Sequence, residues 1–160
     1  MPLIEIRDAN IHDSALILRF VKELATFEKA EEEVTATETD IKDSIFGSNS
    51  TTSVVICEMD KIPVGIAIYF FNYSTWLGKN GLYLEDLYIS PDYRSGGAGK
   101  ALLKHLAKIA VSEKCGRFEW SVLDWNEPAI QFYKSIGAEP QDEWVIYRLT
   151  GQALENFAEV

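Results

Sequence analysis

The sequence predicts an α/β sandwich, with helices packed on a mixed β-sheet, and three observations carry that prediction. β-rich or alternating runs over residues 3–7, 53–59, 64–73, 82–89, 117–123 and 144–149 are separated in most places by runs with helical spacing. Two of them, 53–59 and 64–73, follow each other across Asp60-Lys61-Ile62-Pro63 and read as a hairpin. A glycine-rich segment, Arg94-Ser95-Gly96-Gly97-Ala98-Gly99-Lys100, lies between a strand and an apolar-periodic helix. Strand and helix in alternation, with a hairpin in the first half, is the pattern of helices laid on a mixed sheet.

The elements follow in order. Residues 3–7 alternate as a first strand, and Asp13 is the candidate N-cap of the next helix. Ile17, Phe20, Val21, Leu24 and Phe27 form the apolar face of that helix, to about Glu28. Glu28, Glu31, Glu32 and Glu33 make an acidic loop, readable as a solvated face or as the entrance for a cation. Thr37-Glu38-Thr39-Asp40 resembles a capping box that opens a short helix ended by Gly47. The run from Val64 is nearly all apolar and predicts a central strand covered on both faces. Residues 74–81 read as a loop whose Trp76 is either a lid or an anchor.

The next strand, 82–89, has Glu85 and Asp86 at its middle, where charge is unusual. On strict alternation they point to opposite faces, so at least one risks burial, which is costly unless the group is paired or used. A strand with one wet face explains them without function; a carboxylate held beside the glycine loop explains them with it. Ala101, Leu102, Leu106, Ile109 and Ala110 then mark a helix to about Ser112. Phe118, Trp120 and Val122 share one face of the strand at 117–123. Asn126 is a candidate cap and Pro128 a first-turn proline for a helix closed by Gly137. A last strand at 144–149 and a terminal helix at 151–158 complete the reading as one domain over residues 1–160.

Composition narrows the function classes. The formal charge of −10, from 25 acidic against 15 basic side chains, disfavours a polyanionic partner such as nucleic acid. It suits attraction of a small cation, or simply solubility. Apolar runs fall short of the ~20 residues that span a bilayer, and no leader pattern opens the chain, so no membrane role is expected. Cys57 and Cys115 make neither a disulfide framework nor a zinc pattern. Free thiols point to a cytoplasmic protein, and no metal is expected.

A glycine loop opening a helix is a seat for phosphate, because the first helical N–H groups lack intrahelical partners. Gly99-Lys100-Ala101 lacks the spacing and the hydroxyl of a P-loop. Gly97-x-Gly99 followed by Leu102, past the chain midpoint, does not fit a dinucleotide fingerprint. A third pattern, Arg/Gln-x-x-Gly-x-Gly/Ala, is met in full from Arg94 to Gly99.

That pattern after a strand resembles the acetyl-CoA pyrophosphate loop of the GNAT superfamily of N-acetyltransferases. Tyr83-Leu84-Glu85-Asp86-Leu87-Tyr88, Asp92-Tyr93-Arg94 and the block from Trp125 to Lys134 are similar to its diamine (spermidine/spermine) and thialysine acetyltransferase branch. The similarity reaches back to Lys22-Glu23-Leu24-Ala25 and Phe27-Glu28. It implies a GNAT-like, mostly antiparallel central sheet flanked by helices, and an acyltransferase that acts as a homodimer on small-molecule amines with acetyl-CoA as co-substrate.

The resemblance also implies roles. Leu87, Tyr88 and Ile89 would pair with the pantetheine arm, and Arg94, Ser95, Gly96, Gly97, Ala98, Gly99 and Lys100 would hold the pyrophosphate. Asn126, Glu127, Pro128 and Ala129 would contact the cofactor near its thioester. Tyr133 matches the general acid for the leaving thiolate, and Glu85 the acid that assists amine deprotonation, through water. Phe27, Glu28 and Trp76 match positions around the amine, as do Glu119, Trp120 and Ser121 by spacing. Polyamine-type members carry Asp-Pro before the loop tryptophan, whereas this chain has Ser74-Thr75, which leans towards thialysine- or lysine-like amines over spermidine or spermine. A non-catalytic acetyl-CoA-binding module is the alternative of a different class. Direct transfer needs no enzyme nucleophile, in keeping with His12 and His105 read as helix-surface residues.

Overall fold

The apolar run after Pro63 becomes the centre of a five-stranded sheet. A computed structural model describes residues 2–159. Its strands are β1 (Ile4–Asp8), β2 (Thr52–Met59), β3 (Ile62–Ser74), β4 (Lys79–Ile89) and β5 (Phe118–Trp120), in that spatial order. Neighbours are antiparallel through β4, and β4 and β5 are parallel. The parallel step follows from its connection, a crossover through helix α3 (Ala98–Ser112). The mostly antiparallel α/β sheet is the one expected.

Helices α1 (Ser14–Phe27) and α2 (Glu38–Phe46) cover one face. There Ile17 and Phe20 bury against Val54, Ile56, Ile66, Ile68 and Tyr88. Each such side chain removed from water contributes about 1.5–3 kcal/mol. Helix α3 covers the other face, with Leu102, Leu103 and Leu106 buried. The chain divides into two compact units between Ser121 and Val122. The second holds α4 (Glu127–Ser135) and α5 (Gly151–Ala158).

Local chemistry accounts for most boundaries. The capping box at Thr37 forms: its hydroxyl accepts from the Asp40 N–H at 3.1 Å, and the Asp40 carboxylate accepts from the Thr37 N–H at 2.8 Å. Asp13 stands at the expected N-cap position of α1, but its side chain makes no cap bond to that helix. Its carboxylate accepts from both Arg7 terminal nitrogens, at 2.8 and 3.0 Å, and from the Asn10 N–H at 2.8 Å. The Arg7 guanidinium therefore holds the Asp13 carboxyl below the usual carboxylate range. The same guanidinium reaches Glu58 at 3.1 Å, so β1, β2 and the start of α1 are fastened at one point.

Three elements differ from the expectation. The first hairpin turns on two residues, Asp60 and Lys61, at φ 50° and 70°, and Ile62 and Pro63 belong to β3. Pro63 sits opposite Glu58 where the register shifts, a bulge that tolerates its missing N–H. The segment 74–81 is a tight turn between two long strands rather than a loop. Ser74 Oγ accepts from the Leu77 N–H at 3.2 Å and the Ser74 carbonyl from the Gly78 N–H at 2.9 Å, with Gly78 at φ +64°. Polar Asn72, Lys79 and Asn80 on the outer ends of β3 and β4 hid that hairpin from a hydrophobic reading. Within the second unit residues 144–149 are assigned no strand.

Candidate functional site

The decisive local feature is a bulge in β4. Pairing with β3 runs Tyr69↔Leu84 and then Ile68↔Asp86, leaving Glu85 as an extra residue without an opposite number. One extra residue reverses the phase of the side chains that follow. Leu82 and Leu84 share a face with Leu87 and Ile89, while Tyr83 shares the opposite, α1-side face with Asp86 and Tyr88. Glu85 is exposed; Asp86 is carried partly inside. Burial, with the charges of Glu85 and Glu28 nearby, pushes the Asp86 carboxyl up to about 6. Burial also raises the Glu28 carboxyl.

The bulge coincides with a parting of strands. β5 pairs with β4 at Leu82, Tyr83 and Leu84, and among the described residues of the first unit no strand lies beside that edge of β4 beyond Leu84. The Ser90 N–H donates to the Val64 carbonyl at 2.8 Å, which sets the alternation: Tyr88 and Asp86 direct their backbone groups to β3. Leu87 and Ile89 direct theirs to the open edge, and the Ile89 carbonyl accepts from Arg94 Nε at 2.9 Å. Of the three backbone positions in the sequence reading, two face the open side and Tyr88 does not.

The glycine loop leads from this edge into α3. Gly97 precedes the helix at φ +87°, a left-handed conformation that favours glycine, and Ala101 N–H donates to its carbonyl at 2.9 Å. The N–H groups of Ala98, Gly99 and Lys100 therefore lie ahead of the first intrahelical bond, and no side chain caps them among the described residues. Ser95, also at positive φ, and Gly96 bring the chain into the turn. A methyl on Gly99 would make only ordinary contacts, 3.9 Å to Ile89 and 4.0 Å to Leu87. The fold does not demand glycine there, but close approach of a ligand to the helix end would.

The remaining positions separate. Phe27 ends α1 and Glu28 follows as its C-cap. Trp76 lies at the tip of the β3–β4 turn, 85% exposed. Six residues of extended strand, roughly 20 Å, separate its turn from Glu85. Glu119 and Trp120 are in β5, with Glu119 opposite Tyr83 and paired to Arg117 at 3.3 Å. The rings of Phe118 and Trp120 meet at 4.9 Å, so they share a face as alternation required. Ser121 Oγ and the Tyr83 hydroxyl are 2.8 Å apart.

Within the second unit, Asn126 precedes α4, and Glu127, Pro128 and Ala129 form its first turn. The Ile130 N–H donates to the Asn126 carbonyl at 3.1 Å, and Gln131 Nε2 to Glu127 at 2.6 Å. Tyr133 stands two turns in, with its ring 6.0 Å from Phe132. Its carbonyl accepts from the Ala138 N–H at 3.0 Å in the closing turn at Gly137. Burial raises the Tyr133 phenol above its ordinary value.

The family description "Acetyltransferase (GNAT) family" matches residues 18–138, a span that contains β4, the glycine loop and α4. The chain belongs to this acetyltransferase family. It is 36% identical to the thialysine N-epsilon-acetyltransferase of Sus scrofa, covering 99% of both chains, and 37% identical to that of Mus musculus, covering 96% of both. Among solved structures it resembles an integron cassette protein of V. cholerae, with TM-score 0.83, 28% identity and 98% of each chain covered.

The chain is thus a GNAT acyltransferase, and enzymes of this family use acetyl-CoA as co-substrate. Among the described residues no His, Cys, Asp and Glu group is placed for a metal, and no helix is long and apolar enough to cross a membrane. Asp86 is the residue that the sequence reading passed over in favour of Glu85. Alternation had put the pair on opposite faces, and the missing signal was the bulge, which no glycine or proline announces. Its raised pKa fixes a testable sign. The folded-state value, about 6, lies above the ordinary 3.8, so the acetyltransferase loses stability as pH rises between them and bears the full cost above 6. Asp86→Asn should therefore stabilise the protein by up to about 3 kcal/mol at pH 8, and the advantage should vanish below pH 4. Urea denaturation at the two pH values reads this directly; equal effects at both would remove the buried-carboxylate account.

Proposed function

We propose that this acetyltransferase moves the acetyl group of acetyl-CoA directly to the primary amine of a small substrate, with thialysine- or lysine-like amines preferred. The observation that carries the reading is the layout of β4. One strand places an acidic pair, Glu85 and Asp86, immediately before an open backbone edge and a helix-opening glycine loop. A cationic acceptor and a phosphate-bearing donor are thereby served from a single element. Spermidine or spermine acetylation is the alternative that follows from the same chemistry. Ser74, whose hydroxyl closes the turn before Trp76, argues less for either amine than its place in the sequence suggested.

Each residue has work in this scheme. The N–H groups of Leu87 and Ile89 and the Leu87 carbonyl would pair with the amides of the pantetheine arm, while Tyr88 supports that edge from the core. The backbone of Ser95, Gly96, Gly97, Ala98, Gly99 and Lys100 would hold the pyrophosphate, with the lysine charge adding to the helix end. Asn126 and the turn through Ala129 would contact the donor near its thioester, which supplies the acetyl group. Phe27, Glu28, Glu119, Trp120 and Ser121 would surround the amine, whereas Trp76, roughly 20 Å of strand from Glu85, would stand apart from its reacting end.

The amine must lose a proton before it attacks. An alkylamine of pKa about 10.4 is neutral in roughly one molecule per 2,500 at pH 7, a cost near 4.6 kcal/mol. Asp86, in its low-dielectric position, attracts the ammonium group, and exposed Glu85 can pass the proton on to water. Tyr133 keeps its proton through the neutral range and can donate a hydrogen bond as charge develops on the departing sulfur.

We read residues 1–160 as one N-acetyltransferase domain, which the family match across the boundary at Ser121 supports. We place it in the cytoplasm as a homodimer; free Cys57 and Cys115 fit the reducing compartment. Thiol release from acetyl-CoA, measured with thialysine, lysine, putrescine, spermidine and spermine, should be fastest with thialysine. Release with none of them, despite cofactor binding, would leave the non-catalytic module. Tyr133→Phe should lower kcat by about tenfold or more while leaving acetyl-CoA affinity within a few-fold; unchanged turnover would take Tyr133 out of the acid role. Light scattering should give the mass of two chains, and a monomer mass would overturn the dimer.

A further inference from the structure

Arg94 begins the glycine-loop pattern, yet its side chain is engaged behind the loop. Its Nε donates to the Ile89 carbonyl at 2.9 Å. The guanidinium carbon lies 5.0 Å from the Phe27 ring centre and 5.4 Å from that of Tyr88. Both distances are within the range of attraction between a guanidinium and an aromatic ring. One planar cation thus touches the last residue of α1, the core of β4 and the open edge of β4.

A second tie lies one helical turn earlier on the same face of α1. The Tyr88 hydroxyl donates to Glu23 at 3.0 Å, Ser90 Oγ reaches the same carboxylate at 3.5 Å, and Arg19 holds it from within the helix at 3.2 Å. Glu23 and Phe27 are four residues apart, so they stack along one side of α1. The helix end is therefore fastened to β4 twice, through Glu23 and through Phe27. Glu28, the next residue, is fixed in turn by its N–H on the Leu24 carbonyl at 2.9 Å.

We infer that Arg94 is a positioning residue which ties the amine-side end of α1 to the cofactor edge of β4, so that binding of either substrate depends on the same side chain. The inference rests on the proposed assignment of Phe27–Glu28 to the amine and of the Leu87–Ile89 edge to acetyl-CoA. Movement of the loop root on cofactor binding is passed to Phe27 by the stacked guanidinium. Ordering of Phe27 by an amine likewise holds the Ile89 carbonyl in line. Lysine cannot replace the device, because a point charge on a flexible stem has neither the flat face for two rings nor a fixed edge donor.

The test uses Arg94→Gln, Arg94→Lys, Phe27→Leu and the double variant Arg94→Gln/Phe27→Leu. Each substrate is varied against saturating partner; acetyl-CoA affinity is measured by calorimetry without amine, and that of CoA, which has no acetyl group to transfer, with the amine present and absent. Wild-type turnover on the amine panel is the prior control: its absence overturns the functional reading, whereas the clamp is judged by the variants. Arg94→Gln and Arg94→Lys should both raise the KM of amine and of acetyl-CoA, with kcat changed less. Phe27→Leu should weaken acetyl-CoA although it lies on the amine side. The double variant should be no worse than Arg94→Gln alone, a departure from additivity of about fivefold or more. An Arg94→Gln effect confined to acetyl-CoA, or single-variant effects that multiply, would make Arg94 a cofactor ligand only. Should the Arg94 variants fail to fold, Phe27→Leu alone decides, through whether acetyl-CoA affinity moves.

Discussion

The site depends on one extra residue in β4. Without the bulge at Glu85, strict alternation would place Asp86 with Leu82 and Leu84 on the α3 face and turn Leu87 and Ile89 away from it. With it, the apolar side chains on both sides of the bulge serve α3, and the charge is delivered to the α1 side. The same irregularity occurs where β5 stops following β4. Bulges bend and twist a strand, and a strand bent away from its parallel neighbour has a backbone edge to offer. Side-chain phase and buried charge thus share one local cause, and the last described β4–β5 pair falls beside it.

The energetic consequence is a deliberate imbalance. A core of Ile17, Phe20, Ile56 and Ile66 beneath α1 stabilises the face on which Asp86 sits, and the carboxylate takes part of that stability back at neutral pH. Arg7 shows how the same fold treats an acid it intends to keep quiet. It gives Asp13 two charge-assisted hydrogen bonds and a depressed pKa. Asp13, satisfied and lowered, and Asp86, raised by burial, are thus two carboxylates that one fold perturbs in opposite directions.

Much of this was legible in the residues. The capping box at Thr37, the covered strand from Val64, the helix after the glycine loop and the closing Gly137 follow from local rules and occur where those rules put them. What escaped depends on partners distant in sequence. The bulge needs the β3 register, the stacking of Arg94 needs α1 and β4 together, and the engagement of the Asp13 carboxylate needs Arg7, although Asp13 holds the N-cap position expected of it. A strand at 144–149 was suggested by alternation alone, and the second unit by itself forms none there. The roles assigned to Tyr133 and Asn126 came from family likeness, since an amphipathic helix with a proline in its first turn has no chemistry written in its spacing.

A row of unpaired N–H and C=O groups inside a molecule is ordinarily an invitation to another chain. Here the invitation is short. From Glu85 to Ile89 the open edge of β4 spans roughly 13 Å, and Arg94 already occupies the carbonyl at its far end. That is a short ladder for a foreign strand to nucleate on, while the proposed pantetheine arm would need only two amides' worth of it. If β4 seats acetyl-CoA as proposed, length alone would separate small molecules from proteins at this edge, before any side chain is consulted.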